Sequence, residues 1–218
     1  MKIGVIGSGN IGGNLTRRLT SIGHQVRVAN SRGPHTLAGI ADETGAVPVD
    51  VGDVAAGVDV LIVAIPEKAV PQLPAAVLDG LADGAAVIDT GNYYPQRDGR
   101  IADIENGMPE SKWVQQQLGH PVVKAFNGVH AAAIIERAQP TGSPGRLAVA
   151  IASDDSVAKA TVMRLIDELG FDSVDAGGID ESWRMQPGTP WYGQGFDADG
   201  VREALAEAQP ERPAELRA

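Results

Sequence analysis

Residues 2–30 read KIGVIGSGNIGGNLTRRLTSIGHQVRVAN, and this stretch decides the architecture. Lys2–Gly7 is a short apolar run closed by glycine, the pattern of a buried strand. Ile11, Leu15, Leu19 and Ile22 then recur at helical spacing, and Gly23 stands where a C-terminal helix cap belongs. Gln25–Asn30 alternates as a second strand. Strand, helix and strand in that order make a βαβ unit, which sets two parallel strands side by side.

The alternation continues outward. Thr36–Thr44 reads as a short helix closed by Gly45, Ala46–Val49 as a third strand, and Val58–Ala64 as a nearly continuous apolar strand buried on both faces. Glu67–Leu78 reads as a helix disturbed by Pro71 and Pro74, Ala85–Asp89 as a fifth strand, and Thr90–Asn106 as a loop. Ser111 is placed to cap a helix to Leu118, ahead of a strand at Val122–Ala125 and a helix at His130–Arg137. The clearest break in composition is TGSPG at 141–145. Beyond it, Arg146–Ala152 is a strand, Ser153 or Asp154 caps a helix with Ala158, Val162, Leu165, Ile166 and Leu169 on one face, and Asp172–Asp175 is the last strand. An irregular aromatic segment, WRMQPGTPWYGQGF at 183–196, leads to a short acidic helix over 199–208. Strands alternating with helices imply an α/β fold with a Rossmann-type, doubly wound, mainly parallel sheet. The expected division is a nucleotide-binding domain over 1–140 and a small α/β extension over 141–218 that closes its cleft.

Composition narrows the function. The chain has 218 residues, enough for one sizeable domain, and its 43% hydrophobic and 21% charged content is that of a globular protein. A net charge of −10 argues against a nucleic-acid or anionic-membrane surface. The absence of cysteine removes disulfides, thiolate metal sites and thiol nucleophiles, and four scattered histidines make no metal cluster. No apolar stretch reaches the ~18–20 residues of a membrane helix, and the strand at Met1–Gly7 leaves no room for a leader, so the cytoplasm is the expected compartment. Charge position is also informative. Lys2, Arg17, Arg18, Arg27 and Arg32 all precede the first acid, Asp42, which suggests either a local anion site or a solvated helix face at Arg17 and Arg18.

The turn Gly7, Ser8, Gly9, Asn10, Ile11, Gly12 carries the chemistry. In a βαβ context this G-x-G-x-x-G pattern implies a dinucleotide site. Gly7 permits the tight turn, Gly9 lets a pyrophosphate approach the backbone, and Gly12 lets helix and strand pack closely. The helix N-terminus then receives the phosphates. The end of the second strand selects the coenzyme. Asn30, Ser31 and Arg32 stand there, with no acid to bind a ribose 2′-hydroxyl, while Arg32 and Ser31 suit a 2′-phosphate. The expected cofactor is NADP.

Ligands of open α/β sheets lie beyond the C-terminal strand ends. That rule nominates Ala64, Ile65 and Pro66 after the fourth strand and Thr90, Gly91 and Asn92 after the fifth as a track for the coenzyme. It also nominates Phe126 and Asn127 after the sixth, to meet the nicotinamide amide or the substrate. Asn127, Lys124 and His130 are the candidate catalytic groups, and no metal is expected. Lys124, in the apolar run PVVKAF, is either a buried group facing the cleft or a solvated edge lysine. The pairs Asp42, Glu43 and Asp154, Asp155 read as solvent faces or caps, so no acid–base pair is assigned to them. Trp183, Trp191, Tyr192 and Phe196 either cover a ring or anchor a loop or dimer contact.

Taken together, the glycine turn, Asn30-Ser31-Arg32-Gly33-Pro34, Asp89-Thr90-Gly91-Asn92-Tyr93-Tyr94-Pro95, Val123-Lys124-Ala125-Phe126-Asn127 and Ser182-Trp183-Arg184-Met185-Gln186-Pro187-Gly188-Thr189-Pro190 resemble the coenzyme F420-dependent NADP oxidoreductase family. The cytosolic reductase domains of membrane ferric reductases look similar. The resemblance implies a homodimer and direct hydride transfer between NADPH and a deazaflavin (F420) or flavin acceptor, a small-molecule redox partner. Gly7–Gly12 would hold pyrophosphate, Ser31 and Arg32 the 2′-phosphate, and Val129 with its neighbours would border the nicotinamide. The chain departs from F420 members at Phe126-Asn127-Gly128-Val129-His130, where they carry Leu-His-Thr-Ile-Pro. Two other functions fit the same residues: reduction of a small carbonyl or imine with Lys124 or His130 supplying the proton, and a non-catalytic NADP-binding sensor.

Overall fold

The structure is a computed structural model describing residues 1–218. Six strands, β1 (Lys2–Ile6), β2 (Gln25–Ala29), β3 (Val47–Pro48), β4 (Val60–Val63), β5 (Ala86–Asp89) and β6 (Val123–Lys124), form one parallel sheet in the order β3-β2-β1-β4-β5-β6. This is the doubly wound order, and chain direction across the sheet reverses between β1 and β4. A second, parallel pair, β7 (Ala148–Ile151) and β8 (Asp172–Asp175), joins the large sheet through an antiparallel bridge between Lys124 and Ala152.

The helices are α1 (Asn10–Ser21), α2 (Ala38–Thr44), α3 (Pro95–Asp98), α4 (Ala102–Glu105), α5 (Glu110–Leu118), α6 (Ala133–Glu136), α7 (Ser156–Leu169) and α8 (Ala198–Glu207). Alternate residues of each strand serve opposite faces, as the period of two requires. Ile3, Val5, Val60, Ile62 and Ile88 share a 25-residue core with Leu15 and Leu19 of α1, Val149 and Ile151 of β7, and Val162, Leu165, Ile166 and Leu169 of α7. Ile6, Leu61, Val63 and Val87 face the other way, onto Val54, Val77 and Ile179. One apolar body therefore runs through both sheets. No helix is long and apolar enough to cross a membrane.

Several local readings need correction. Ser111 does not cap α5, because Pro109 holds that position and the Ser111 hydroxyl donates instead to Asp89. The cap of α7 is Asp155, whose Oδ1 accepts from the Val157 and Ala158 amides, while Ser153 supports it by accepting from the Asp155 amide. The expected helix at Glu67–Leu78 is a single 3-10 segment over Glu67–Gln72 that contains Pro71 and stops ahead of Pro74, with Leu73 extended as the residue before a proline favours. The expected loop at Thr90–Asn106 contains α3 and α4, and the helix expected at His130–Arg137 shrinks to α6.

The early cations disperse. Arg17 pairs with Glu43, Arg18 donates to the Leu169 carbonyl and Arg27 to the carbonyls of Asp53 and Ala56, while Lys2 starts β1 at the far edge of the sheet. Only Arg32 of the five follows a strand's C-terminal end with its guanidinium unpaired.

Because the two sheets share one core, Leu165→Ala, which empties part of a fully buried site on α7, should cost about 2–5 kcal/mol. Urea unfolding followed by tryptophan fluorescence and by far-ultraviolet circular dichroism should shift together as one transition. A transition confined to one probe would show that the cores are separable.

Candidate functional site

The parallel register brings five chain segments to one edge of the sheet. Gly7 donates its amide to the Ala29 carbonyl at 2.8 Å, Ala64 to Ile6 at 2.8 Å, Thr90 to Val63 at 3.1 Å, and Ala125 to Asp89 at 3.1 Å. Asn30, Gly7, Ala64, Thr90 and Ala125 are therefore neighbours along the C-terminal edge, with the crevice at the β1/β4 reversal in the middle.

The three glycines of the turn differ in what surrounds them. Gly7 has φ of 108°, and a Cβ there would lie 2.2 Å from the Ala64 carbonyl oxygen. A Cβ on Gly12 would lie 2.0 Å from the Gly7 oxygen. Both positions are closed to any side chain. Gly9 is the opposite, since a Cβ there would meet nothing within 4 Å. It caps α1 without a side-chain hydrogen bond, and the first turn of α1 carries no acid. The outward amides and the positive end of the helix dipole thus face open space.

On the β2 side, the half-turn after the strand is built on Asn30. Its Oδ1 accepts from the Arg32 amide at 2.9 Å, and its Nδ2 donates to Ser8 at 3.2 Å and Thr36 at 3.0 Å. Asn30 is buried and locks the turn after β2 to the glycine turn, while Ser31 and Arg32 are exposed. His35 folds its ring against Gly33, which has φ of 87°.

On the β5–β6 side the nominated residues turn two ways. The Thr90 hydroxyl donates to the Val63 carbonyl, and the Gly91 amide donates to Asp89 Oδ1 at 2.8 Å, so both face inward. Asn92 and Asn127 embrace across the edge. Asn92 Nδ2 donates to the Asn127 carbonyl at 2.9 Å, and Asn127 Nδ2 donates to Asn92 Oδ1 at 3.1 Å and to the Met185 carbonyl at 2.6 Å. Asn127 Oδ1 has no partner. The segment begins at Phe126, a buried residue held at φ of 63°, a left-handed conformation that costs a non-glycine residue about 1–3 kcal/mol. Tyr192 closes the group. Its hydroxyl lies 2.6 Å from that of Tyr94 and 3.4 Å from Asn92 Nδ2, and burial with the Tyr94 hydrogen bond pushes its phenol strongly upward, so it stays protonated.

Lys124 settles between its two alternatives: it is fully buried. Its Nζ donates to Asp89 Oδ2 at 3.1 Å and to the Gly91 carbonyl at 2.5 Å, and Ser111 donates to the same carboxylate oxygen at 2.7 Å. Burial alone would lower its pKa, yet the carboxylates around it, Asp89 first, outweigh that and hold it raised. The ammonium is thus a fixed strut under the Thr90–Asn92 loop. His130 is exposed, and its ring makes no hydrogen bond within the protein.

Two buried groups of this cluster escape sequence reasoning. Glu67 is fully buried with neither carboxyl oxygen partnered, pressed under Gly91, where a Cβ would lie 2.6 Å from its Oε1. Burial first, and then the Asp89 charge, push its pKa well up and favour its protonated form. Glu110, also raised by burial, accepts from Arg212 at 2.5 Å, which fastens the C-terminal tail. The only sequence signal was position: Glu67 follows Pro66 directly at a strand end. Of the late aromatics, Trp191 is buried with Met185 and Val201, and Phe196 packs against them, so these two anchor the C-terminal segment.

Residues 2–93 match the family described as NADP oxidoreductase, coenzyme F420-dependent, and over that stretch the resemblance drawn from the motifs holds. A hypothetical protein of Sinorhizobium meliloti has the same fold with a TM-score of 0.75, at 29% identity over 90% of this chain and 95% of that one. A protein of Arthrobacter sp. described as an F420-dependent NADP-reductase gives 0.69, at 26% identity over 82% of this chain and 86% of its own. Among curated sequences, Escherichia coli (strain K12) YjhV is 55% identical over 70 residues, which is 32% of this chain and 51% of that protein. The chain thus spans about half the length of that curated relative.

Glu67 gives a signed pH effect. Its folded pKa lies above its unfolded one, so above the ordinary carboxyl range the folded state holds a proton that the unfolded state has lost, and stability falls as pH rises. The slope from one proton is at most about 1.4 kcal/mol per pH unit. Glu67→Gln should therefore gain on the parent protein from pH 5 towards pH 8 in urea unfolding. A constant difference across that range would contradict a raised Glu67 pKa.

Proposed function

We propose that this chain, with residues 2–93 matching that family, is an NADP-dependent oxidoreductase that holds NADPH across the β1/β4 crevice and serves a flavin or deazaflavin acceptor such as coenzyme F420. The observation that carries the reading is the contrast among the glycines: 7 and 12 are closed by backbone, while 9 opens onto an acid-free helix N-terminus. A pyrophosphate is the group that such a surface receives. Arg32, exposed and unpaired beside Ser31, supplies a charged donor for a 2′-phosphate, and no carboxylate stands there to repel it.

The bound coenzyme supplies the hydride, and the protein supplies alignment. The Asn127 amide is clamped through its Nδ2, which leaves Oδ1 fixed and free to accept from a carboxamide at the nicotinamide end. The Asp89–Lys124–Ser111 cluster stiffens the loop that carries Asn92. Because Lys124 is spent on Asp89 and Gly91, it weighs against the reading in which this lysine protonates a carbonyl or imine substrate.

Arg32→Ala should raise the Kd for NADPH about tenfold or more, the ~1.5–3 kcal/mol expected of a charge-assisted hydrogen bond, with an unchanged melting temperature for the free protein. Gly9→Ala should do the same, since its methyl meets only the space assigned to the pyrophosphate. Loss of NADPH absorbance with F420, FMN or FAD tests the acceptor. An unchanged Kd in both variants removes the coenzyme site, and no turnover with any of the rings removes the acceptor class.

A further inference from the structure

A cavity of about 100 Å³ opens on the chain just past Asn127. Trp191, Leu147, Ala148, Val129 and Ala133 give it apolar walls, and His130 and Arg137 stand among its lining residues. Both basic side chains are exposed and neither makes a hydrogen bond or ion pair within the protein. Arg137 does not pair even with Glu136, its neighbour in the chain. Two free cationic or donor groups beside an apolar hollow are a complementary surface for an anion with an apolar body.

The surrounding backbone is shaped to keep the hollow. Trp191 sits so close to Gly128 that a Cβ there would lie 2.4 Å from its ring, so only glycine admits the indole. Gly193, with φ of 75°, donates its amide to the Gly128 carbonyl at 3.0 Å, and Gly195, with φ of 71°, carries the chain past Leu147. A Cβ on Gly193 would stand 3.8 Å from the His130 ring. The strained Phe126 launches the opposite wall. Strain and glycine-only geometry thus flank the small void on both sides.

We propose that this cavity is a binding site for a small aliphatic carboxylate, with its hydrocarbon end against Trp191, Leu147 and Val129 and its carboxylate on Arg137 and His130. At about 100 Å³ it is well below the ~300–1,000 Å³ of drug-sized pockets and below the ~150 Å³ apolar cavity that holds benzene. The short branched alkyl arm of a four- or five-carbon acid suits that volume, with the carboxylate outside it on the two exposed cations, and a tricyclic ring does not. The cavity is separate from the glycine turn and adjoins Asn127, so it borders the end proposed for the nicotinamide, but its walls and cations are the protein's own and its test does not require the coenzyme.

The test is a titration of the full chain, with and without NADP, followed by amide and indole shifts in nuclear magnetic resonance, with 3-methylbutanoate as the probe and 3-methylbutanamide as its neutral isostere. The acid should give saturable shifts centred on residues 128–133 and 191–195 in both conditions, and bind at least about tenfold more tightly than the amide. Arg137→Ala, at an exposed position that leaves the fold intact, should reduce the acid to the level of the amide, and Ala133→Leu should abolish both by filling the void. Equal binding of acid and amide, indifference to Arg137→Ala, or no saturable shift at these residues would overturn the proposal. Failure of NADP to bind while the acid still does would count against the coenzyme site alone.

Discussion

The steric crossing of β1, α1 and the end of β4 governs the rest of the molecule. Two glycine positions leave roughly 2 Å between an imagined side chain and a backbone oxygen, less than any contact of real atoms. Because nothing but hydrogen fits, α1 can lie directly on β1 and aim its N-terminus along the sheet edge. The same edge then collects the ends of β2, β4, β5 and β6 through an unbroken parallel register. An open notch beside Gly9 is what remains once those elements have closed around it.

Behind that edge lies a second constraint, electrostatic in kind. Asp89 and Lys124 are register partners on adjacent strands, both buried, and their charges are satisfied by Ser111, the Gly91 amide and the Gly91 carbonyl. A buried pair of this sort contributes little net stability, but it is costly to break from one side and so fixes geometry. Glu67 and Glu110 crowd the same space, the first with its pKa pushed up by burial and the second held by Arg212 from the C-terminal tail. Residues more than a hundred positions apart are thereby tied to the floor under Asn92, a suitable arrangement for chemistry that depends on alignment rather than on a protein nucleophile.

The α/β class, the first βαβ unit and the faces of α1 and α7 were legible in the sequence because burial in those elements is periodic and local. Asp155 was missed as a cap by one residue, since Ser153, Asp154 and Asp155 are equally good acceptors and only the trajectory out of β7 selects among them. Lys124 was ambiguous because its partner Asp89 lies 35 residues away, and strand adjacency is not written in either strand. Glu67 was invisible for the same reason: its burial comes from Gly91 folding over it. The Asn92, Asn127, Tyr94 and Tyr192 group joins residues up to 100 apart, beyond any spacing rule. Dispersal of the early arginines shows the converse, a charge pattern real in sequence that pairing consumes in space.

The proposed coenzyme site rests most on the notch between Gly9 and Arg32 preferring a coenzyme with the additional phosphate. Calorimetric titration of the folded chain with NADPH and with NADH measures that directly. NADPH should bind at least about tenfold more tightly, in keeping with one charge-assisted contact. Equal affinity for the two, or heat from neither, would contradict it.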